Sequence, residues 1–323
     1  MNTLPETTPT VHAGLDVAKA TLQLHLRGRQ HALPNTPQGH RQTVGLLRAV
    51  PGAHLVCEAT AGYEQALVAA LHAAAIPVSV VNPARVRHFA QAQGRQAKND
   101  PLDATVLTAF GQALRPAPTP VPDAGLTELR ALVRWRAHLL AQRVATGNRG
   151  EHGTTKFVTC QQAKLGRQLA AQLKAVEAEL KAALQRLPPW QAQLVKLTEL
   201  DGVGFLTAVA VLSQLPELGR CNRQQAAALA GLAPWTRQSG PWEGQRHIGG
   251  GRAEVRQALY MAAVAVARMK PTVLGQFYQR LRDAGKPAKV ALTAVMRKLL
   301  LQMNRVLQPK PEPTTENPTP KTV

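Results

Sequence analysis

Two carboxylates stand three residues apart in Ala97-Lys98-Asn99-Asp100-Pro101-Leu102-Asp103-Ala104, where a helix is expected to begin. Asn99 suits the N-cap and Pro101 the first turn, and Leu102, Val106, Leu107 and Phe110 follow at helical spacing. Asp100 and Asp103 then share one helical face. Alone, such a pair need do no more than complement the helix dipole. The surroundings ask for more: residues 1–115 hold only six acids, Glu6, Asp16, Glu58, Glu64, Asp100 and Asp103, in a chain of net charge +20.

The preceding residues alternate in a way that predicts a sheet. Val11 to Val17 reads as a strand, Thr21 to Leu26 as its hairpin partner, and the stretch around His31 to Leu33 as a third strand. Thr36 to Val50 has a helical pattern stopped by Pro51-Gly52. His54 to Glu58 is a strand, Tyr63 to Ala75 a helix, Val78 to Val81 a strand and Pro83 to Gln93 a helix. That order fits a mixed α/β sheet with crossover helices. Asp16 and Glu58 fall at the ends of apolar strands, where a buried carboxylate without a partner is costly. Either Lys and Arg partners or a hard divalent ion, Mg²⁺ or Mn²⁺, relieves that cost. Glu64 is assigned to an amphipathic helix.

The segments GLDVAKATLQL, VCEATAGYE and KNDPLDA, together with Val80-Val81-Asn82-Pro83-Ala84-Arg85, resemble the RNase H-like (RuvC-like) amino-terminal domain of DEDD insertion-sequence transposases, the insertion-sequence one-hundred-and-ten type. The resemblance implies that residues 11–115 form this domain. It also implies that Asp16, Glu58, Asp100 and Asp103 are catalytic acids that bind Mg²⁺ or Mn²⁺. Asn99 stands where such transposases often have Thr, one capping residue for another.

Pro116 to Pro122 is a proline-rich break. Two long helices are expected beyond it, Leu126 to Arg149 and Gln161 to Leu187, forming a helical hairpin or coiled-coil-like linker over residues 124–187. A mainly α-helical domain is expected over 190–306, with closing helices at Glu254 to Arg268 and Lys289 to Val306. Within it, Gly202 and Gly204 in Asp201-Gly202-Val203-Gly204 suggest a helix-hairpin-helix-like turn whose backbone N–H groups grip phosphate, although a plain connection between helices reads equally simply. The ends, 1–10 and 309–323, are polar and proline-bearing and are expected to be disordered.

The chain has three serines, Ser79, Ser213 and Ser239. The first two fall in apolar elements; Ser239 falls in a glycine-rich loop among Arg237, Arg246 and Arg252, with Arg256 just beyond, and these four arginines are expected to contact nucleic-acid phosphates. A serine that attacks phosphorus needs its hydroxyl activated and cations for the charge that grows on phosphate oxygens. A Ser-Gly pair in a loop is otherwise an ordinary turn. The pattern GLAP…QSG…GGGRAEVRQALYMAA resembles the carboxy-terminal transposase domain of the same family, and the resemblance implies that Ser239 is the nucleophile. It implies further that a non-coding bridge RNA guides the enzyme to donor and target DNA, and that a homo-oligomer, dimer to tetramer, brings acid and serine domains together across subunits.

Charge agrees with a polyanionic partner: the pI is 10.9, and Trp190 to Arg305 alone has 16 Lys/Arg against 6 Asp/Glu. No apolar run of about 18 residues suggests a membrane span, and no signal peptide is read at the start, so a cytoplasmic, nucleoid-associated enzyme is expected. Cys57, Cys160 and Cys221 are odd in number and widely spaced, which predicts neither a zinc site nor a disulfide framework, and the ten histidines show no ligand spacing. Two rival readings remain at this point. One is a metal-dependent junction nuclease in which the acids activate water; the other is a non-catalytic basic DNA-binding protein. Tyr63, Tyr260 and Tyr278 could serve as nucleophiles, but no Arg-His-Arg set accompanies them.

Overall fold

The computed structural model describes residues 10–94, 100–150, 155–236, 238–239, 242–244, 246–269 and 271–309, grouped in two compact units, Met1–Pro122 and Asp123–Val323. The first unit has β1 (Val11–Val17), β2 (Thr21–Leu26), β3 (Arg29–Pro34), β4 (Ala53–Glu58) and β5 (Val78–Val81), in the spatial order β3-β2-β1-β4-β5; β2 and β3 alternate in burial, whereas β4 and β5 are short, mostly apolar runs buried almost throughout. β1, β2 and β3 are antiparallel neighbours, and β4 and β5 run parallel to β1. Arg27 and Gly28, both at positive φ, make the two-residue turn that joins β2 to β3, a geometry that matches the twist of a hairpin. The expected order of strands and helices is present, with α1 (Pro37–Arg48), α2 (Gln65–Ala73), α3 (Pro83–Ala92) and α4 (Asp100–Leu114).

The two sheet faces are buried separately. Ala13, Leu15, Val17, Leu22, Leu24, Leu55 and Cys57 face a core with Leu47, Leu67 and Leu71 of α1 and α2. Val56 and Val81 face a smaller core with Val86 of α3 and Val106, Leu107 and Phe110 of α4. α2 starts two residues later than Tyr63. The reason is a turn at Thr60–Gly62, with Ala61 and Gly62 at positive φ, closed by the Glu64 carboxylate, which accepts from Thr60 N at 3.0 Å and Gly62 N at 3.1 Å.

The second unit is mainly helical. α5 (Ala124–Gly150) and α6 (Lys156–Gln185) pair antiparallel through Leu129, Leu139, Leu169, Leu173 and Leu180. Ion pairs Arg136–Glu177 and Arg186–Glu128, each at 2.7 Å, fix the same register. α7 (Pro188–Thr198), α8 (Phe205–Gln214), α9 (Arg223–Leu229), α10 (Ala253–Arg268), α11 (Val273–Asp283) and α12 (Ala288–Leu307) follow. α8, α10 and α12 share a core of Val211, Leu212, Val255, Leu259, Val266, Leu299, Leu300 and Met303. α11 was legible in sequence only as positive charge around Arg280 and Arg282; its Leu274 is buried and its cations lie in the last turn. Buried Asn304 ties the loop before α9 to α12, accepting from Gly219 N at 2.8 Å and donating to Cys221 O at 2.9 Å. No described helix is long and apolar enough to cross a membrane.

The loop that bears Ser239 is not simply flexible. It folds as two nested ribbons: β6 (Pro234–Trp235) pairs with β9 (His247–Ile248), and inside them β7 (Gln238–Ser239) pairs with β8 (Trp242–Glu243).

Candidate active site

Parallel pairing of β1 with β4 sets Leu15 opposite Cys57, so Asp16 and Glu58, the next residues, come level at the carboxyl ends of adjacent central strands. Both follow the strand alternation onto the face covered by α4, the face of Gly14 and Val56. α4 crosses this face antiparallel to β1. Gly111 lies over His12 and Val56, where an added Cβ would sit 2.9 Å from each side chain. Gly14 lies beneath Ala104 and Thr108, and a Cβ there would come 2.7 Å from Thr108 Oγ1 and overlap the Ala104 carbonyl. Extended by one turn, the same path carries the start of α4, with Asp100 and Asp103, toward the Asp16 end of β1. His25 of β2 holds Thr108 Oγ1 from the side at 2.8 Å through Nδ1.

Three acids from distant parts of the sequence are thereby directed to one end of the sheet. Asp16, Glu58 and Asp103 are each half-buried. The Asp100 backbone is helical, whereas its side chain, like Asn99, lies outside the described residues. Among the described residues no three His, Cys, Asp or Glu side chains are gathered tightly enough to hold a metal ion. Glu64, missed as a member of this region, is buried at 8% exposure. On the opposite face burial, then Glu64 and Glu58, push the Cys57 thiol up to about 12, which makes it inert.

In the second unit Ser239 is exposed on β7, with Trp242 as its cross-strand partner. Ser79 and Ser213 are buried: Ser79 Oγ meets His54 Nε2 at 2.8 Å and Ala117 O at 2.8 Å, and Ser213 Oγ faces Ala210 O at 3.3 Å. The ribbons spring from a neck where Gly231 (φ 66°) and Gly251 (φ 59°) lie backbone against backbone. A Cβ on Gly251 would come 2.6 Å from Leu229 O, so packing requires this glycine, whereas Gly250 (φ 65°) answers only a backbone need and Gly249 lies in open space.

Two arginines hold this neck. Arg252 makes a two-pronged ion pair with Glu217, both contacts at 2.6 Å, and its N–H donates to Leu229 O at 2.9 Å. Burial alone would raise the Glu217 carboxyl, but hydrogen bonds from Arg252 and the nearby Arg130 charge pull it below its ordinary value. Arg256 Nη1 donates to Ala230 O at 3.2 Å and to Gly250 O. Arg246 is exposed in the ribbon, and Arg237 lies outside the described residues. Gly202 (φ 75°) is required by packing, since a Cβ would run into the Val266 side chain and approach Ala262 O at 3.1 Å. Gly204 precedes α8 in open space.

Two family models match the chain. One, of the DEDD type and described as a transposase, spans residues 13–152; the other, described as the transposase IS116/IS110/IS902 family, spans residues 195–279. The chain is also similar to the pilin gene-inverting proteins of Moraxella bovis and Moraxella lacunata. Each is 26% identical over 300 residues, covering 90% of this chain and 93% of the relative.

Proposed function

The chain belongs to the IS110 type of transposase and is a DNA recombinase, and we propose that it cuts and rejoins DNA with two chemical centres, a carboxylate site and a serine. The observation that carries this reading is the placement of α4 over β1 and β4. Together with the parallel register of β1 and β4, it supports a site of Asp16, Glu58, Asp100 and Asp103 at one sheet end, in a unit otherwise poor in acids. The strand order, three antiparallel strands followed by two parallel ones, supports an RNase H-like assignment for this unit.

The four carboxylates are hard oxygen donors of the kind that suit Mg²⁺ or Mn²⁺, and Asp16, Glu58, Asp100 and Asp103 would hold the ion. Bound there, it would polarise a phosphate and stabilise negative charge on its oxygens. Ser239 supplies the nucleophile. Its Oγ forms a bond to phosphorus while one bridging P–O bond breaks. The seryl proton is given up, and the departing deoxyribose oxygen takes one and leaves as a hydroxyl. The phosphoserine keeps the energy of the diester, so the reverse attack by a hydroxyl of another strand reseals DNA without a nucleotide cofactor.

The exposed position of Ser239, on a ribbon held at its neck by Arg252 and Arg256, supports this role. In this reading Gly204 and Arg246 contact the nucleic-acid backbone together with Arg237, while Gly202, Arg252 and Arg256 shape the surfaces that do so. A bridge RNA guides donor and target choice, and acid and serine centres come together in a homo-oligomer; the net charge of +20 fits binding two polyanions at once.

The test is incubation with Mg²⁺, element-end DNA and RNA copied from the flanking non-coding sequence, followed by a search for a denaturant-resistant protein–DNA adduct. Wild type should give the adduct, and Ser239→Ala and Asp103→Ala should not. Cleavage that persists in Ser239→Ala without an adduct would leave a metal-dependent nuclease as the better account. DNA binding without cleavage under any condition would leave a basic binding protein.

A further inference from the structure

Trp235 is 67% exposed on β6, in a chain with only 4% aromatic residues. A large indole facing water needs an explanation when it stands on an anchored element. Its ring is not loose: Nε1–H donates to Gly249 O at 3.4 Å, across the same neck that Gly231, Gly251 and Arg256 hold. The ribbon register sets Trp235 opposite His247, so the indole and an exposed imidazole share one face. Arg246, also exposed, precedes His247 on the same ribbon, whereas Arg252 is paired with Glu217 at the neck. An aromatic face with an exposed cation beside it is complementary to an unpaired base flanked by phosphates, and the net charge of +20 favours a polyanion as its occupant.

We propose that Trp235, backed by His247, is a stacking platform for an unpaired DNA base beside the phosphate that Ser239 attacks. This rests on the reading of Ser239 as the nucleophile. Trp235 and Ser239 are four residues apart, so their Cα atoms are at most about 13 Å from each other. With a rise of about 3.4 Å per nucleotide along a strand, the stacked base lies within about four nucleotides of the scissile phosphate. A base held there keeps the cut strand from pairing again with its old complement, which favours exchange over simple resealing.

The experiment uses full-length Ser239→Ala protein, so that binding is read without covalent chemistry. Element-end oligonucleotides carry 2-aminopurine at successive positions around the cleavage point. Fluorescence should be quenched at one or two positions within four nucleotides of the cut. Trp235→Ala should abolish the quench and weaken binding to unpaired DNA between about fivefold and 100-fold, Trp235→Phe should retain part of both, and the melting temperature should not move. Unchanged quenching and affinity in Trp235→Ala would overturn the proposal. So would a loss confined to the same oligonucleotide made as RNA. An adduct that forms equally well when Ser239→Ala is assayed with active DNA would instead refute the nucleophile assignment, while leaving the stacking result to stand or fall separately.

Discussion

Gly14 of β1 lies directly against the backbone of Ala104 of α4, so closely that a methyl group on Gly14 would overlap the Ala104 carbonyl oxygen and stand 2.7 Å from Thr108 Oγ1. Two residues after Gly14 comes Asp16, and one residue before Ala104 comes Asp103. The close approach therefore sets the separation of two candidate acids without either taking part in it. Gly14→Ala should lift α4, costing about 1–3 kcal/mol of stability as overpacking does. Strand cleavage should fall at least tenfold at temperatures where the variant remains folded. Thermal melting and cleavage assays on one preparation check this; a variant with wild-type cleavage would show that the helix position does not matter to the chemistry.

This contact explains what could and could not be read beforehand. β1 and β2 announced themselves because Ala13, Leu15 and Val17, and Leu22, Leu24 and Leu26, alternate toward one core, β4 and β5 showed as short apolar runs, and β3 left only a weak signal because its face is largely exposed. Asp16 and Glu58 were visible because each breaks an apolar strand at its end. Glu64 was hidden, since nothing in a helix-like sequence signals that its carboxylate turns back to close Thr60–Gly62. The ribbons around Ser239 were hidden for another reason: strands of two residues are too short to leave a period, and their stability comes from a neck whose partners, Gly231 and Gly251, are far apart in sequence. Arg252 and Arg256 read as phosphate contacts because charge alone cannot reveal Glu217 or a pair of carbonyls as their partners.

Arg246 and Arg256 should consequently behave differently. Removing an exposed phosphate contact lowers the salt dependence of DNA binding by about 0.9 in the slope of log K against log salt. Arg246→Ala is expected to do this with unchanged melting. Arg256→Ala should leave the slope as it is and cost about 1–3 kcal/mol through the lost charged hydrogen bonds at the neck. Binding isotherms at four salt concentrations separate the two. A lower slope for Arg256→Ala would mean that its guanidinium reaches phosphate after all.

Acid should weaken the protein at a milder pH than carboxylate protonation alone would. His12, His25, His40 and His54 are all held below the ordinary histidine value of 6.5 by burial. The Arg115 charge adds to this at His12, and His12 adds to it at His54. With folded values depressed, the unfolded chain takes up more protons than the native one as pH falls through 6.5. Stability is then complete above about pH 6.5 and declines below it. Melting temperature should be flat between pH 8 and 7 and drop between 6.5 and 5.5, and the paired change His12→Gln with His54→Gln should flatten that drop. A melting temperature constant down to pH 5.5 would contradict the burial argument.

The thiols offer a check on the chemistry of cleavage. Cys57 is buried with its thiol pushed up to about 12, and Cys221 is buried, raised by that burial, with its Sγ against Asn304 Oδ1 at 3.4 Å. Cys160, the fifth residue of α6, is exposed. The thiolate is the reactive form, so an alkylating reagent at pH 7.5 should modify one residue of the native protein, Cys160, and all three once the chain is unfolded. A chain alkylated at Cys160 should still form the protein–DNA adduct at the unmodified rate, because no thiol belongs to either proposed centre. Loss of the adduct on modification of Cys160 alone would shift the nucleophile, or the surface that presents it, to the tip of the α5–α6 pair.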